Sequence, residues 1–124
     1  MATRGTIAVR HADGTVSQIY THWDSYLENN GRILHEHYTT LEQVEAIVAG
    51  GDMSSLGVNK DCCEYYTARG EDLNIRKYEN ILDYSRRRQN EEYDYLWEQG
   101  QWKVVGYETD GRWMLLTEAL EELT

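Results

Sequence analysis

The chain has 124 residues, which is enough for one hydrophobic core and leaves little room for a second. Apolar residues make up 40% and charged residues 27%, a composition that excludes a disordered chain and is typical of a globular protein. The formal charge of −10 opposes direct contact with nucleic acid. We therefore predict a single domain, residues 1–124, that does not bind DNA or RNA directly.

The sequence carries no signal-peptide pattern and no apolar run near the roughly 18 residues that a membrane-spanning helix needs. Its two cysteines, Cys62 and Cys63, are adjacent and cannot cross-link distant parts of the fold. Two thiols in a reducing compartment are favoured over a strained vicinal disulfide. These features predict a cytoplasmic protein that does not contact membranes.

The N-terminal segment has the pattern of a β-hairpin. Alternating strands are predicted at residues 6–11 and 16–23, on either side of an Asp-Gly dipeptide at 13–14. That dipeptide favours a two-residue type I′ turn, which would place Ile7 opposite Tyr20. Both faces of the hairpin would then carry apolar side chains, so we predict a central position in the sheet.

Helical signals follow the hairpin. A loop is predicted at residues 24–31 and a short helix at residues 32–38. Thr40 and Gln43 have the spacing of a capping box, which predicts a second helix that ends at the two glycines at 50–51.

The middle of the chain is less regular. Residues 53–57 are predicted as a connector and residues 62–67 as a third strand. Residues 75–88 fit either a helix or a strand, and the pattern leaves both open.

A second hairpin is predicted at residues 93–97 and 102–107, with Trp97 opposite Trp102, and a final helix at residues 113–123. Because hairpins and helices occur in separate runs, the predicted fold is α+β. It would contain an antiparallel sheet of about five strands, two hairpins plus one strand, with two to four helices packed on one face.

The negative charge is concentrated at the C-terminal end. Residues 1–40 carry a net charge of −1, residues 41–90 of −2, and residues 91–124 of −7. Such a one-sided distribution predicts a surface that attracts a basic partner or mimics a phosphate backbone. The candidate partner-binding residues are Glu91, Glu92, Asp94, Glu98, Glu108, Asp110, Glu118, Glu121 and Glu122.

A second group of candidates surrounds the end of the first hairpin, where aromatic and polar side chains could form a pocket: Tyr20, His22, Trp23, Asp24 and Tyr26. A metal site is disfavoured because His35 and His37, two apart on a helix, diverge by about 200°. Ser25 with His22 and Asp24 lacks the context of an activated nucleophile. We predict no metal, no cofactor and no catalytic residues.

Several segments of the first half form a recognisable set. They are Arg4-Gly5-Thr6-Ile7-Ala8-Val9, Asp13-Gly14-Thr15-Val16, Ile19-Tyr20-Thr21-His22-Trp23-Asp24-Ser25-Tyr26, Gly31, Leu34, His37-Tyr38 and Ser54-Ser55-Leu56-Gly57. Together they resemble a group of small, mostly uncharacterised proteins encoded by phages and prophages. The resemblance covers residues 4–57, with a weaker likeness at residues 69–72. Ser25 and Thr21 depart from it, since the group usually has Gly and Cys there.

The resemblance implies a bacteriophage accessory protein that acts in the bacterial cytoplasm. Small acidic proteins of that kind often counter restriction or CRISPR systems, so we expect a non-enzymatic inhibitor. It would bind a host protein or ribonucleoprotein complex stoichiometrically through its acidic, DNA-mimicking surface. The alternative is a protein that sequesters a nucleotide signal in the aromatic pocket. A homodimer is left open.

Overall fold

A computed structural model describes residues 2–123. These residues form eight strands and four α-helices around one mixed sheet. The strands are β1 (Gly5–Arg10), β2 (Val16–Trp23), β3 (Met53–Ser55), β4 (Glu64–Tyr65), β5 (Arg76–Tyr78), β6 (Tyr93–Glu98), β7 (Gln101–Val105) and β8 (Met114–Leu115). The helices are α1 (Arg32–His37), α2 (Leu41–Val48), α3 (Ile81–Arg87) and α4 (Leu116–Glu121).

The α+β class is confirmed, but the predicted antiparallel sheet of about five strands is wrong. The strand order is β4-β3-β2-β1-β6-β7-β8, with β5 also paired to β2. Two pairs are parallel, β1 with β6 and β2 with β3. A parallel pair needs a crossover connection, and α1 and α2 supply it between β2 and β3. The prediction missed this because it treated the hairpins and helices as separate runs.

The first hairpin exists, but its predicted register is wrong by one residue. Ile7 pairs with Ile19, and Tyr20 pairs with Thr6. The Gly14 N–H donates to the His11 carbonyl, and Gly14 has a φ of 90°. The turn is therefore a three-residue loop with a left-handed glycine, the next most common hairpin connection after the two-residue turn.

Other local predictions are confirmed. Trp97 pairs with Trp102, their rings meet edge to face at 5.5 Å, and Gln99 and Gly100 both have positive φ. The capping box also forms, with the Thr40 hydroxyl accepting from the Gln43 N–H at 3.3 Å.

Short strands account for most of the remaining errors. The predicted connector contains β3, and the ambiguous stretch 75–88 contains both β5 and α3. The strand predicted at residues 62–67 is reduced to β4, because 3₁₀ turns occupy Lys60–Cys62 and Tyr66–Arg69. The last helix begins at Leu116, not at residue 113. Strands of two or three residues are too short to show alternation.

Helices cover both faces of the sheet, which corrects the prediction that they pack on one. Ile7 and Val9 lie in a large core with α1, α2 and α4. Ala8 faces the opposite way, into a smaller core that includes Tyr84 of α3. Both faces of β1 are thus buried, so the predicted central position of this strand is confirmed. None of the helices in residues 2–123 is long and apolar enough to cross a membrane.

The Asp83 carboxylate stabilises the first turn of α3. It accepts from Arg87 Nε at 2.6 Å and from the Glu79 N–H at 2.9 Å. These hydrogen bonds, with that from Arg87 the strongest cause, lower the pKa of Asp83 from 3.8 to about 2.

We expect an NMR titration of the Asp83 carboxyl to have its midpoint near pH 2. Because the pKa is lowered in the folded state, these contacts stabilise the fold fully above about pH 4. Their contribution is lost as the pH falls through 2. Arg87→Gln should raise the midpoint toward 3.8, whereas Arg86→Gln should change it much less. A midpoint unchanged by Arg87→Gln would contradict this assignment.

Candidate functional site

Two of the nine predicted acidic binding residues are buried in the sheet. Asp94, on β6, is 2% exposed and faces the smaller core. It accepts hydrogen bonds from the Thr6 hydroxyl at 2.6 Å and from Arg88 Nη1 at 2.5 Å. Burial raises the pKa of the Asp94 carboxyl, and both of these hydrogen bonds oppose that rise. Asp94 is therefore almost fully buried and paired within the sheet, although its buried carboxyl also lines an open groove beside Arg88.

Glu98 is the second buried acid. Its carboxylate lies between two bases, Arg10 Nη1 at 3.1 Å and Lys103 Nζ at 3.0 Å. This contact joins β1, β6 and β7 across one face of the sheet. It also neutralises Lys103, which is one of only two basic residues after position 90.

The other seven acids stay accessible to solvent. Glu91 and Glu92 are partly exposed in the segment that leads into β6, and the remaining five are exposed. Those five are Glu108, Asp110, Glu118, Glu121 and Glu122. Of the nine predicted acids, Asp94 and Glu98 are therefore buried within the sheet, and the other seven are accessible to solvent.

Glu91 and Glu92 border an open groove of about 530 Å³ that we call the acidic groove. Its other lining residues include Arg88 and Asp94, which pair with each other, and Tyr107. Tyr107 is 68% exposed and donates its hydroxyl to Glu92 at 2.9 Å. Beneath it, the buried Tyr93 donates to Glu108 at 2.6 Å. The two tyrosine rings meet edge to face at 5.6 Å. Through this pair of tyrosines, the carboxylates of Glu92, just before β6, and Glu108, just after β7, are held near each other.

The electrostatics of the acidic groove favour cations. The carboxylate of Glu92 accepts the Tyr107 hydroxyl and raises the pKa of that phenol. Burial, and then the hydrogen bond to Glu108, raise the pKa of Tyr93. Both rings therefore stay neutral at physiological pH. A lysine or arginine from a partner would meet carboxylates and an open aromatic face, which suits a cation.

The residues predicted to form an aromatic pocket lie along the end of β2. The Tyr20 hydroxyl and His22 Nδ1 are 2.8 Å apart, and the His22 and Trp23 rings meet edge to face at 4.8 Å. Trp23 and Tyr26 are 42% and 41% exposed, and Asp24 is partly buried. The rings of Tyr20, His22 and Trp23 thus contact one another at an open strand end, and none of the five predicted residues lines the acidic groove.

Ser25, considered as a nucleophile, is fully buried, and its Oγ is within 2.7 Å of the Thr21 hydroxyl. His35 and His37 are exposed on α1. No group of three or more potential metal ligands forms within residues 2–123. Cys62 and Cys63 are unlinked thiols, the first exposed and the second buried.

Comparison with known proteins gives no further guide to the function. No protein-family model, no curated protein and no solved structure matches this chain.

A series of hydrogen-bonded polar side chains, which the sequence did not predict, links the first hairpin to α2. The His11 ring lies between the Ser17 hydroxyl and the Glu45 carboxylate and contacts both within hydrogen-bond distance. These residues are 6 and 34 positions from His11 and match no sequence motif. Only the correct hairpin register and the capping box at the start of α2 could have indicated that they meet.

Proposed function

We propose that this chain is a phage-encoded inhibitor of a host defence system, of the anti-CRISPR or anti-restriction kind. It binds the basic surface of a nucleic-acid-handling protein or ribonucleoprotein with its accessible acidic residues. The observation that carries this proposal is the excess of accessible acids after residue 90. Seven acidic residues are accessible there, whereas the same segment has only two bases, Arg112 and Lys103, and Lys103 is paired with the buried Glu98. The resemblance of residues 4–57 to phage proteins supports the cellular setting.

In the acidic groove, hydrogen bonds from the Arg4 N–H and the Tyr107 hydroxyl hold the Glu92 carboxylate in place. A strongly acidic surface attracts a positively charged partner over several ångströms and raises the association rate. The groove then offers the Glu91 and Glu92 carboxylates beside the exposed ring of Tyr107 for close contacts with lysine or arginine. A protein that binds DNA or RNA presents such side chains where it normally contacts phosphates.

Reversing charge in the acidic groove tests this proposal. We expect the double variant Glu91→Lys, Glu92→Lys to reduce capture of the host partner from a bacterial lysate by at least about tenfold, a loss of about 1.4 kcal/mol. The measurement is the amount of partner retained by immobilised protein at low and moderate salt. Circular dichroism of each variant verifies that it is folded.

A matched control makes the same charge change elsewhere. Glu36 on α1 and Glu42 on α2 are exposed acids outside the groove, so Glu36→Lys, Glu42→Lys alters the net charge equally. We expect this variant to retain most of the captured partner. Equal loss in both variants would show that net charge alone matters, and no loss in the groove variant would refute binding there.

A further inference from the structure

The first hairpin and α2 together build an arrangement typical of nucleophilic catalysis. The Ser17 Oγ lies 2.8 Å from His11 Nε2, and the Glu45 Oε2 lies 2.5 Å from His11 Nδ1. Hydrogen bonds therefore link a potential nucleophile, Ser17, to a base, His11, and the base to an acid that orients it, Glu45. This is the order of contacts found in serine hydrolases, and it is recognised by geometry and not by sequence position.

The hydrogen bonds favour the imidazole tautomer that catalysis needs. Ionised Glu45 can only accept, so His11 Nδ1 must carry the proton that it donates. In a neutral ring His11 Nε2 then has a free lone pair, which accepts the Ser17 hydroxyl proton. Glu45 thus prepares His11 to act as a base toward Ser17.

His11, Ser17 and Glu45 are each held in place by a different structural element. The His11 N–H donates to the Thr15 carbonyl at 2.8 Å, which fixes the histidine at the hairpin turn. Ser17 lies on β2, a central strand of the sheet, and is 9% exposed. Glu45 projects from α2, whose first turn is fixed by the Thr40–Gln43 capping box. Residues supported by regular structure keep the precise geometry that a reaction requires.

Ser17 and His11 also face an open groove of about 370 Å³. Lys77, on β5, lines this groove and is the direct ladder partner of Ser17. Directly opposed residues on an antiparallel pair project their side chains to the same side of the sheet. Lys77 is exposed on the same side of the sheet as Ser17, and it is the cationic side chain in this groove that we assign to the oxyanion of a substrate attacked by Ser17.

We propose that this chain hydrolyses small carboxylic esters, with Ser17 as nucleophile, His11 as general base and acid, Glu45 as the positioning residue and Lys77 as the oxyanion stabiliser. In the first step Ser17 Oγ attacks the ester carbonyl carbon and its proton passes to His11 Nε2. The alkoxide leaves with that proton as an alcohol, and the acyl group stays on Ser17. Water then attacks this acyl ester, His11 takes the proton from water and returns it to Ser17, and the carboxylic acid is released.

Covalent labelling tests the nucleophile in the folded, unmodified chain. We expect a fluorophosphonate probe to label wild-type protein at Ser17, as identified by mass spectrometry of the digested protein. Labelling should be lost in Ser17→Ala and persist in Ser85→Ala, which changes an exposed serine on α3. A wild-type protein that is folded and takes up no label at Ser17 would overturn the proposal.

Hydrolysis of p-nitrophenyl acetate tests the roles of the other residues. We expect His11→Ala to lower kcat/KM by about 10²–10⁴-fold, the usual contribution of a general base. Glu45→Gln should lower kcat more than it raises KM, while Glu42→Gln, one turn earlier on α2, should leave both unchanged. Lys77→Met should lower kcat, and Lys77→Arg should partly restore it. Equal rates of hydrolysis in wild type, His11→Ala and Glu45→Gln would show that His11 and Glu45 do not contribute to catalysis.

Discussion

Replacing Asp94 with alanine is expected to lower the free energy of unfolding by about 3–5 kcal/mol. The substitution removes the acceptor for Arg88 Nη1 and for the Thr6 hydroxyl, at 2.5 and 2.6 Å. Arg88 is left as a largely buried charge without its carboxylate, with 16% of its side chain exposed. Removing one partner of a buried ion pair lowers the free energy of unfolding far more than removing a surface acid, because it leaves the other charge buried and unpaired. Urea denaturation monitored by tryptophan fluorescence measures the loss.

Glu91→Ala is the matched control, because it removes an accessible acid three positions earlier and should change stability by less than about 1 kcal/mol. The double variant Arg88→Met, Asp94→Ala should recover part of the loss, since it removes both charges. Equal stability of Asp94→Ala and Glu91→Ala would contradict the internal role assigned to Asp94.

Gly5→Ala should destabilise the fold by about 1–3 kcal/mol, the usual cost of overpacking a core. A Cβ at position 5 would lie 2.4 Å from the Ser25 Cβ and 2.7 Å from the Tyr93 carbonyl oxygen. The Ser25 side chain cannot move aside easily, because its Oγ contacts the Thr21 hydroxyl and accepts from Asn30. The shift in the thermal or urea midpoint measures this cost.

A double-mutant cycle with Ser25→Gly isolates the contact. Removing the Ser25 side chain opens the space that the new methyl group would occupy, so the two changes should be less costly together than their sum. Strictly additive losses would show that the Gly5–Ser25 contact is not the cause. A coupling between the two changes would give Gly5 and Ser25 a packing role.

The sequence predicted local structure well where two residues within three positions of each other decide it. Gln99-Gly100 determines the second hairpin turn, and the Thr40–Gln43 capping box determines the start of α2. It failed at the Asp13-Gly14 turn, where the Asp13 carboxylate accepts from the Thr15 N–H and stabilises a longer loop. That single extra loop residue shifts every cross-strand pair of the hairpin.

Long-range pairing explains the larger errors. Nothing in β1 or β6 alone indicates that they pair in parallel, since contacts such as Ile7 with Tyr95 join residues 88 positions apart. The same separation hides the pairing of Asp94 with Thr6. A count of charges along the chain therefore placed Asp94 and Glu98 on the surface, although the sheet encloses both.

The two kinds of acid explain how one chain can be both stable and strongly negative. Asp94 and Glu98 are neutralised within the sheet by Arg88, Arg10 and Lys103. Under the proposed function, the accessible acids repel phosphates and attract the basic surface of the partner. The proposed binding function therefore depends on the groove residues, and the fold depends on the buried pair.

Competition with DNA tests the central claim most directly. Host partner captured on immobilised wild-type protein is exposed to excess duplex DNA at fixed ionic strength, with the Glu36→Lys, Glu42→Lys variant as the parallel control. If the acidic groove occupies a nucleic-acid-binding surface, DNA should release at least about nine-tenths of the partner from both proteins, because the two ligands exclude each other. Retention of the partner at its original level, with DNA bound to it at the same time, would contradict the proposal.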